Sequence, residues 1–371
     1  MESIARYQSP LLSDASAAEL ADADASLIDA SGVAWHYGNP LGEQRAFERG
    51  PAVVDRSHRA VLAVSGRDAA TFLHNLLSQK LIDAPEGFAA AALDLDAQGR
   101  ILHHCDLTVH GDTFYLDVPS YQRESFEDYL RKMVFWSQVS IEASDLAILT
   151  ILGGDATVPQ ALARALGDRA VFTRSVKWSR AVPRVDVAVA RGALREVVDT
   201  LAREGIPRAG LMAYTAERVK AGEPELRADL DGTSIPHEAP WLIGRGAHAG
   251  AVHLDKGCYR GQETVARVEN LGRSPRLLVT VHLDGSAPVD PVPGSEITRA
   301  GRRVGRLGTV VHDADFGPIG LALLKRSALG AGELTVEAEV PVAAAVDPDS
   351  LPVDEGEKAG RRAVERLRKG E

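Results

Sequence analysis

Cysteine is the residue this chain has least of: two in 371 residues, Cys105 and Cys258. Two thiols cannot build a disulfide framework. Nor can they supply the four thiolates that a cluster takes from one chain. They do not form a C-x-x-C pair and no His-rich spacing points to zinc, so no metal site is expected. A basic excess is also missing, with 42 Lys and Arg against 52 Asp and Glu for a net charge of −10. That balance excludes a general nucleic-acid or anionic-membrane surface, while leaving room for a local basic pocket that takes a small polyanion. No apolar run approaches the ~20 residues that span a bilayer. The start of the chain lacks the basic segment and apolar core of a signal peptide. The expectation is a cytoplasmic protein with neither nucleic acid nor membrane as partner.

What is present is ordinary for a globular protein of two or three domains: 45% hydrophobic and 25% charged residues. Residues 1–50 carry an Ala/Asp/Ser-rich stretch and read as an extension packed across the core, with a short helix near Ala17–Ala25. From Ala60 to Val118 the pattern predicts strands over 60–64, 89–95, 101–109 and 114–118. A helix opens at Asp68, with Phe72, Leu73, Leu76 and Leu77 on one face. A second helix buries Phe126, Tyr129, Leu130 and Met133. The layout then repeats in outline, with strands over 146–152 and 185–190 and helices over 159–166 and 193–204. A helix over 214–221 is closed by Gly222. Mixed strands and helices with hairpins argue for an α+β fold. After Gly272 five short strands at turn-separated spacing, the last over 334–340, read as a small β-barrel or sandwich. From about Val346 the chain becomes a charged tail. The predicted division is therefore 1–50, a body of two similar lobes over 51–270, a β-barrel domain over 271–345, and the tail over 346–371.

The chemistry concentrates in Lys256-Gly-Cys-Tyr-Arg-Gly-Gln-Glu-Thr-Val-Ala-Arg267. Gly257 and Gly261 bracket a segment able to take backbone angles closed to other residues. From Gln262 the residues read as a helix, because Glu263 and Arg267 stand four apart with the acid first. Cys258 would then lie near a helix N-terminus between Lys256 and Arg260, a setting that favours thiolate over thiol. On this reading Cys258 is the catalytic candidate, an accessible thiol, and Cys105 in its strand is the unreactive control. The plain alternative is a Gly-rich turn with a buried cysteine and two solvated charges.

This twelve-residue run resembles the signature of the YgfZ family of folate-binding proteins, relatives of the glycine-cleavage T-protein (aminomethyltransferase). Arg218-Val-Lys-Ala-Gly-Glu-Pro224 and Asp229-Leu-Asp-Gly-Thr-Ser-Ile-Pro236 resemble further segments of the superfamily in the same order. The resemblance implies a T-protein-like body, and tetrahydrofolate or another folate derivative as ligand. It implies a role in assembling or repairing iron–sulfur clusters in client proteins. It places Tyr214 against the pterin and Arg218 near a folate carboxylate, with Arg59, after Ser57-His58, as a further ligand-facing residue. Lys256, Tyr259, Gln262, Glu263 and Arg267 complete the implied cofactor-binding set, with Cys258 opening toward the same cleft. Where aminomethyltransferases carry an aspartate pair after a glycine turn, this chain has His103-His104, with Asp106 beyond. That departure argues against glycine-cleavage chemistry. The alternative kept open is a folate-dependent one-carbon transferase. Whether the protein turns over a substrate is not settled by its sequence.

Overall fold

The computed structural model describes residues 7–178, 181–330 and 332–352. Its body holds two five-stranded sheets. In the first, Ala89–Leu95, Ile101–His110, Thr113–Val118, Ala60–Ser65 and Ser140–Ser144 lie side by side in that order, all neighbours antiparallel. The helices Ala69–Leu76 and Arg123–Lys132 cover one face, burying Phe72, Leu73, Phe126 and Leu130 against Leu62, Cys105 and Leu116. In the second sheet the order is Arg208–Ala209, Ala52–Asp55, Leu146–Leu152, Arg184–Ala190 and Ala170–Val176. Its outer face is covered by Val158–Leu166 and Leu194–Arg203.

Every residue of Leu146–Leu152 is buried, because the strand has cover on both sides. Ala147, Leu149 and Ile151 face the helices. Ile148, one step out of phase, packs on Val61 of the other sheet together with Phe172 and Tyr115. Alternation thus turns two strand faces toward each other across the body. On those inward faces lie His104, Asp106, Asp117, Thr150, Arg174, Arg184 and Asp186, all buried.

The C-terminal part is a closed six-stranded barrel in the order Arg276–Leu283, Gly317–Lys325, Arg302–Asp313, Glu296–Arg299, Leu334–Val336 and Val342–Val346. Its interior is aliphatic, with Val279, Ile297, Leu307, Leu324 and Val336 nearly inaccessible. The predicted strand over 334–340 ends at Val336, and Pro341 precedes a separate sixth strand, Val342–Val346. That strand ends at Val346, the first residue of the expected tail, and residues 353–371 of the tail lie outside the described residues. In the N-terminal stretch the helix is one turn, Ala23–Ser26. Leu11, Ile28, Ala30 and Val33 pack into the body cores.

The helix Leu211–Ala221 joins the parts. Nine of its eleven residues are buried, and Gly222 ends it at φ 70° in the left-handed region. Arg218 donates to Asp229 Oδ2 at 2.7 Å and to Thr309 Oγ1 of the barrel at 2.6 Å. Asp229 Oδ1 accepts from the Thr309 amide at 2.7 Å. A Cβ on Gly308 would stand 2.4 Å from that carboxylate oxygen, so glycine permits the contact.

Candidate functional site

The inward faces of the two sheets meet in a buried ion network. Arg59 reaches Asp117 at 2.8 Å and Asp106 at 3.5 Å. Arg174 meets Asp117, Asp106 and Asp186. Arg184 joins Asp186 at 2.7 Å to Glu223 at 3.1 Å. Burial works against the charged form of Asp106, yet the guanidiniums of Arg174, Arg184 and Arg59 hold its carboxyl well below the usual carboxylate range. A carboxylate so held is a poor proton acceptor.

Beside this network lies a polar cleft of about 520 Å³ including its mouth, lined in part by His58, Arg59, His104, Tyr214 and Arg218. It brings together three sequence-predicted residues, Arg59, Tyr214 and Arg218, each engaged by other side chains. The Arg56 guanidinium covers the Tyr214 ring at 4.1 Å to its centroid, and Trp178 packs 5.5 Å away. Arg218 is spent on Asp229, Thr309 and the Glu223 carbonyl. Stacking a pterin on Tyr214 would require Arg56 to leave, and freeing Arg218 would undock the barrel. Two residues that line this cleft have a buried ring nitrogen without a hydrogen-bond partner among the described residues, His58 at Nδ1 and His104 at Nε2. Burial pushes both imidazoles below their ordinary value, so both stand neutral.

The signature residues lie elsewhere. Lys256 is buried, its Nζ donating to the carbonyls of His74 and Leu77 at the end of the helix Ala69–Leu76, 4.7 Å above the Tyr259 ring. Burial draws its pKa down to about 8. Arg260 donates to the Leu95 carbonyl and, at 2.6 Å, to Asp94. Gln262 returns to the Lys256 carbonyl at 3.3 Å. The helix Gln262–Leu271 forms as predicted. Glu263 and Arg267 are exposed on it, with no ion pair between them among the described residues. Gly261 needs its freedom: φ is 80°, and a Cβ there would meet the Asp96 carbonyl at 2.7 Å. Gly257 does not, having no left-handed φ and only His74 nearby, at 3.9 Å. Cys258 is free and exposed, four residues before the helix, while its flanking cations are engaged elsewhere, Lys256 at the end of the helix Ala69–Leu76 and Arg260 on the first sheet. Neither it nor any other signature residue lines the cleft at Tyr214.

A second opening is lined differently. Asp106 lines both the first cleft and a cavity of about 610 Å³ that continues, past Lys177, Trp241, Ala247 and His248, into a groove of about 1130 Å³ between body and barrel. Folate calls for a flat apolar wall, donors and acceptors at the ring edge, and a cation for its tail. Trp241 is such a wall, braced edge-on by His104 at 6.2 Å, and its Nε1 is buried without a partner. Lys177 is exposed at the rim and makes no ion pair among the described residues. Sequence reasoning missed both. The available signal was Pro240-Trp241, one of four tryptophans, in a Pro- and Gly-punctuated connection.

Among known families, the one described as "CAF17, C-terminal beta-barrel domain" matches residues 276–352. The chain is similar to the iron-sulfur cluster assembly factor IBA57, mitochondrial, of Mus musculus, at 29% identity, covering 79% of this chain and 84% of that protein. It is also similar to the tRNA-modifying protein YgfZ of Colwellia psychrerythraea, at 23% identity over 61% of this chain and 70% of that one. In fold it matches the glycine cleavage system aminomethyltransferase T from Bartonella henselae, with a TM-score of 0.74 at 18% identity, covering 91% of this chain and 94% of that one.

Proposed function

We propose, because this chain belongs to the CAF17/IBA57/YgfZ family within the aminomethyltransferase superfamily at modest identity, that it is a tetrahydrofolate-binding accessory protein supporting iron–sulfur clusters in client proteins. The folate would lie in the groove that runs from Asp106 past Trp241 to Lys177. There Trp241 offers the stacking wall and an edge donor, and Lys177 the cation for a tail carboxylate. The observation that carries this reading is Trp241, which lines both openings and whose buried Nε1 has no hydrogen-bond partner among the described residues, a costly arrangement for a donor. Bound folate supplies one-carbon and redox chemistry at its pterin nitrogens. The chain's own part is to orient that ring and keep water from it.

The clusters served would belong to other proteins, because two cysteines, one of them buried, cannot supply four thiolates. Cys258, exposed on a loop clamped by Lys256 and Arg260, is the group we assign to contact with such a client. The one-carbon transferase reading loses ground, because Asp106 is neutralised by three arginines and is a poor proton acceptor.

Titration calorimetry with tetrahydrofolate tests this reading. Wild-type protein should bind, and Trp241→Ala should lose about 2 kcal/mol, roughly thirtyfold in Kd. Equal affinity in Trp241→Ala would remove the groove from the account.

A further inference from the structure

On the far face of the first sheet, away from the folate groove, the strand Ile101–His110 turns His103 toward the helix Arg123–Lys132. Its Nδ1 lies 2.9 Å from Asp94 Oδ2, and its Nε2 lies 3.0 Å from Ser125 Oγ. The Asp94 side chain is completely buried, and its other oxygen is held by Arg260 at 2.6 Å. The imidazole is fixed in orientation by Phe126 at 5.1 Å and Tyr129 at 6.3 Å between ring centroids. Ser125 is exposed. We infer that Ser125, His103 and Asp94 form a nucleophilic triad acting on short-chain carboxylic esters.

The hydrogen-bond logic runs one way. An ionised Asp94 can only accept, so a neutral His103 must carry its proton on Nδ1 and leave Nε2 bare. The Ser125 hydroxyl also donates to the Gln122 carbonyl at 3.1 Å, so its single proton is shared between that oxygen and Nε2. The bare nitrogen is the stronger acceptor, and the hydroxyl proton directed at it is the one a general base removes. Ser125 occupies the first turn of a ten-residue helix, so the positive end of the helix dipole lies within a turn of the attacking oxygen. A cleft of about 870 Å³ opens on these residues, with Leu102, Leu226 and Leu230 as apolar wall and Tyr121 beside them. That wall suits a small acyl group.

In the step, Ser125 Oγ bonds to the ester carbonyl carbon while its proton passes to His103 Nε2. The bond from that carbon to the alcohol oxygen then breaks, and the proton moves from Nε2 to the departing alcohol. Water repeats the sequence on the acyl-serine, releasing the acid and restoring the hydroxyl. Asp94 positions the imidazole, and Arg260 positions Asp94. The loop that carries Cys258 and the triad are thereby mechanically joined.

A fluorophosphonate probe, with labelling sites read by mass spectrometry, tests the assignment on the full chain. The expected result is a covalent adduct on Ser125, absent in Ser125→Ala and formed at least tenfold more slowly in His103→Gln. Release of p-nitrophenol from p-nitrophenyl acetate should fall in the same order. If His103→Gln does not fold by circular dichroism, the wild type decides alone. Its adduct should then sit on Ser125 and not on Ser140, an exposed serine without an imidazole beside it. No adduct at Ser125, equal labelling of Ser140, or an undiminished rate in a folded His103→Gln would each overturn the triad.

Discussion

Glu225 shows how far a single environment can move a group here. Burial, with Asp29 and Asp229 nearby, pushes its carboxyl from about 4.5 up to about 8, despite Arg218. The folded protein therefore holds a proton on Glu225 that the unfolded chain has lost anywhere between those two values. Where the native state binds more protons, stability falls as pH rises. The contribution is complete below about pH 4.5 and is lost progressively up to about pH 8. His58 and His104, whose values are lowered, act in the opposite sense: their contribution is present above the ordinary imidazole range and lost as pH falls. The comparison with Glu225→Gln isolates the carboxyl, because the amide oxygen can still accept from the Asp29 amide at 2.7 Å. Melting temperatures from pH 5 to 8 should decline less steeply in Glu225→Gln than in wild type. Equal slopes would mean that Glu225 is ionised in the folded state. None of this was legible in the sequence, where Glu225 is one acid beside Pro224. What was legible is that Tyr214, Arg218 and Arg59 belong together. Their use was not, since the partners that engage them, Arg56 on Tyr214, Asp117 on Arg59 and Thr309 on Arg218, come from distant parts of the chain.

At the scale of elements, the signature run is a clamp between the first sheet and the helix Gln262–Leu271. Its two glycines differ in kind. Gly261→Ala places a Cβ against the Asp96 carbonyl at a left-handed φ and should cost about 1–3 kcal/mol. Gly257→Ala, at an exposed and ordinary position, should stay within about 0.5 kcal/mol. Urea unfolding monitored by circular dichroism separates them, and equal losses would show that the loop tolerates the clash by moving. The sequence pattern located this helix, the buried strand Leu146–Leu152 and the Gly222 cap, because each follows from local periodicity or a local glycine. It did not locate Ser140–Ser144, three of whose five residues are exposed at the sheet edge and carry no clear alternation. Ala170–Val176 was missed because its inward residue Arg174 reads as polar until the buried Asp117 and Asp186 are known. The sixth barrel strand, Val342–Val346, has three alanines and little β character of its own.

The whole molecule is two sheets facing each other across a charged seam, with a barrel docked by Arg218 and Asp229 and a groove left between barrel and body. The fold class and the C-terminal barrel could be read from the order and spacing of elements. The groove could not, because it exists only where Trp241, Lys177 and the barrel strand Arg276–Leu283 converge from separate stretches. No helix among the described residues is long and apolar enough to cross a membrane. The central claim is that this groove receives tetrahydrofolate, and its most direct test is a crystal structure of the protein grown with that ligand. The account predicts density for the pterin ring against Trp241 at the Asp106 end of the groove, with the tail running toward Lys177. A ring seated on Tyr214 with Arg56 displaced and Arg218 released from Asp229 would contradict it.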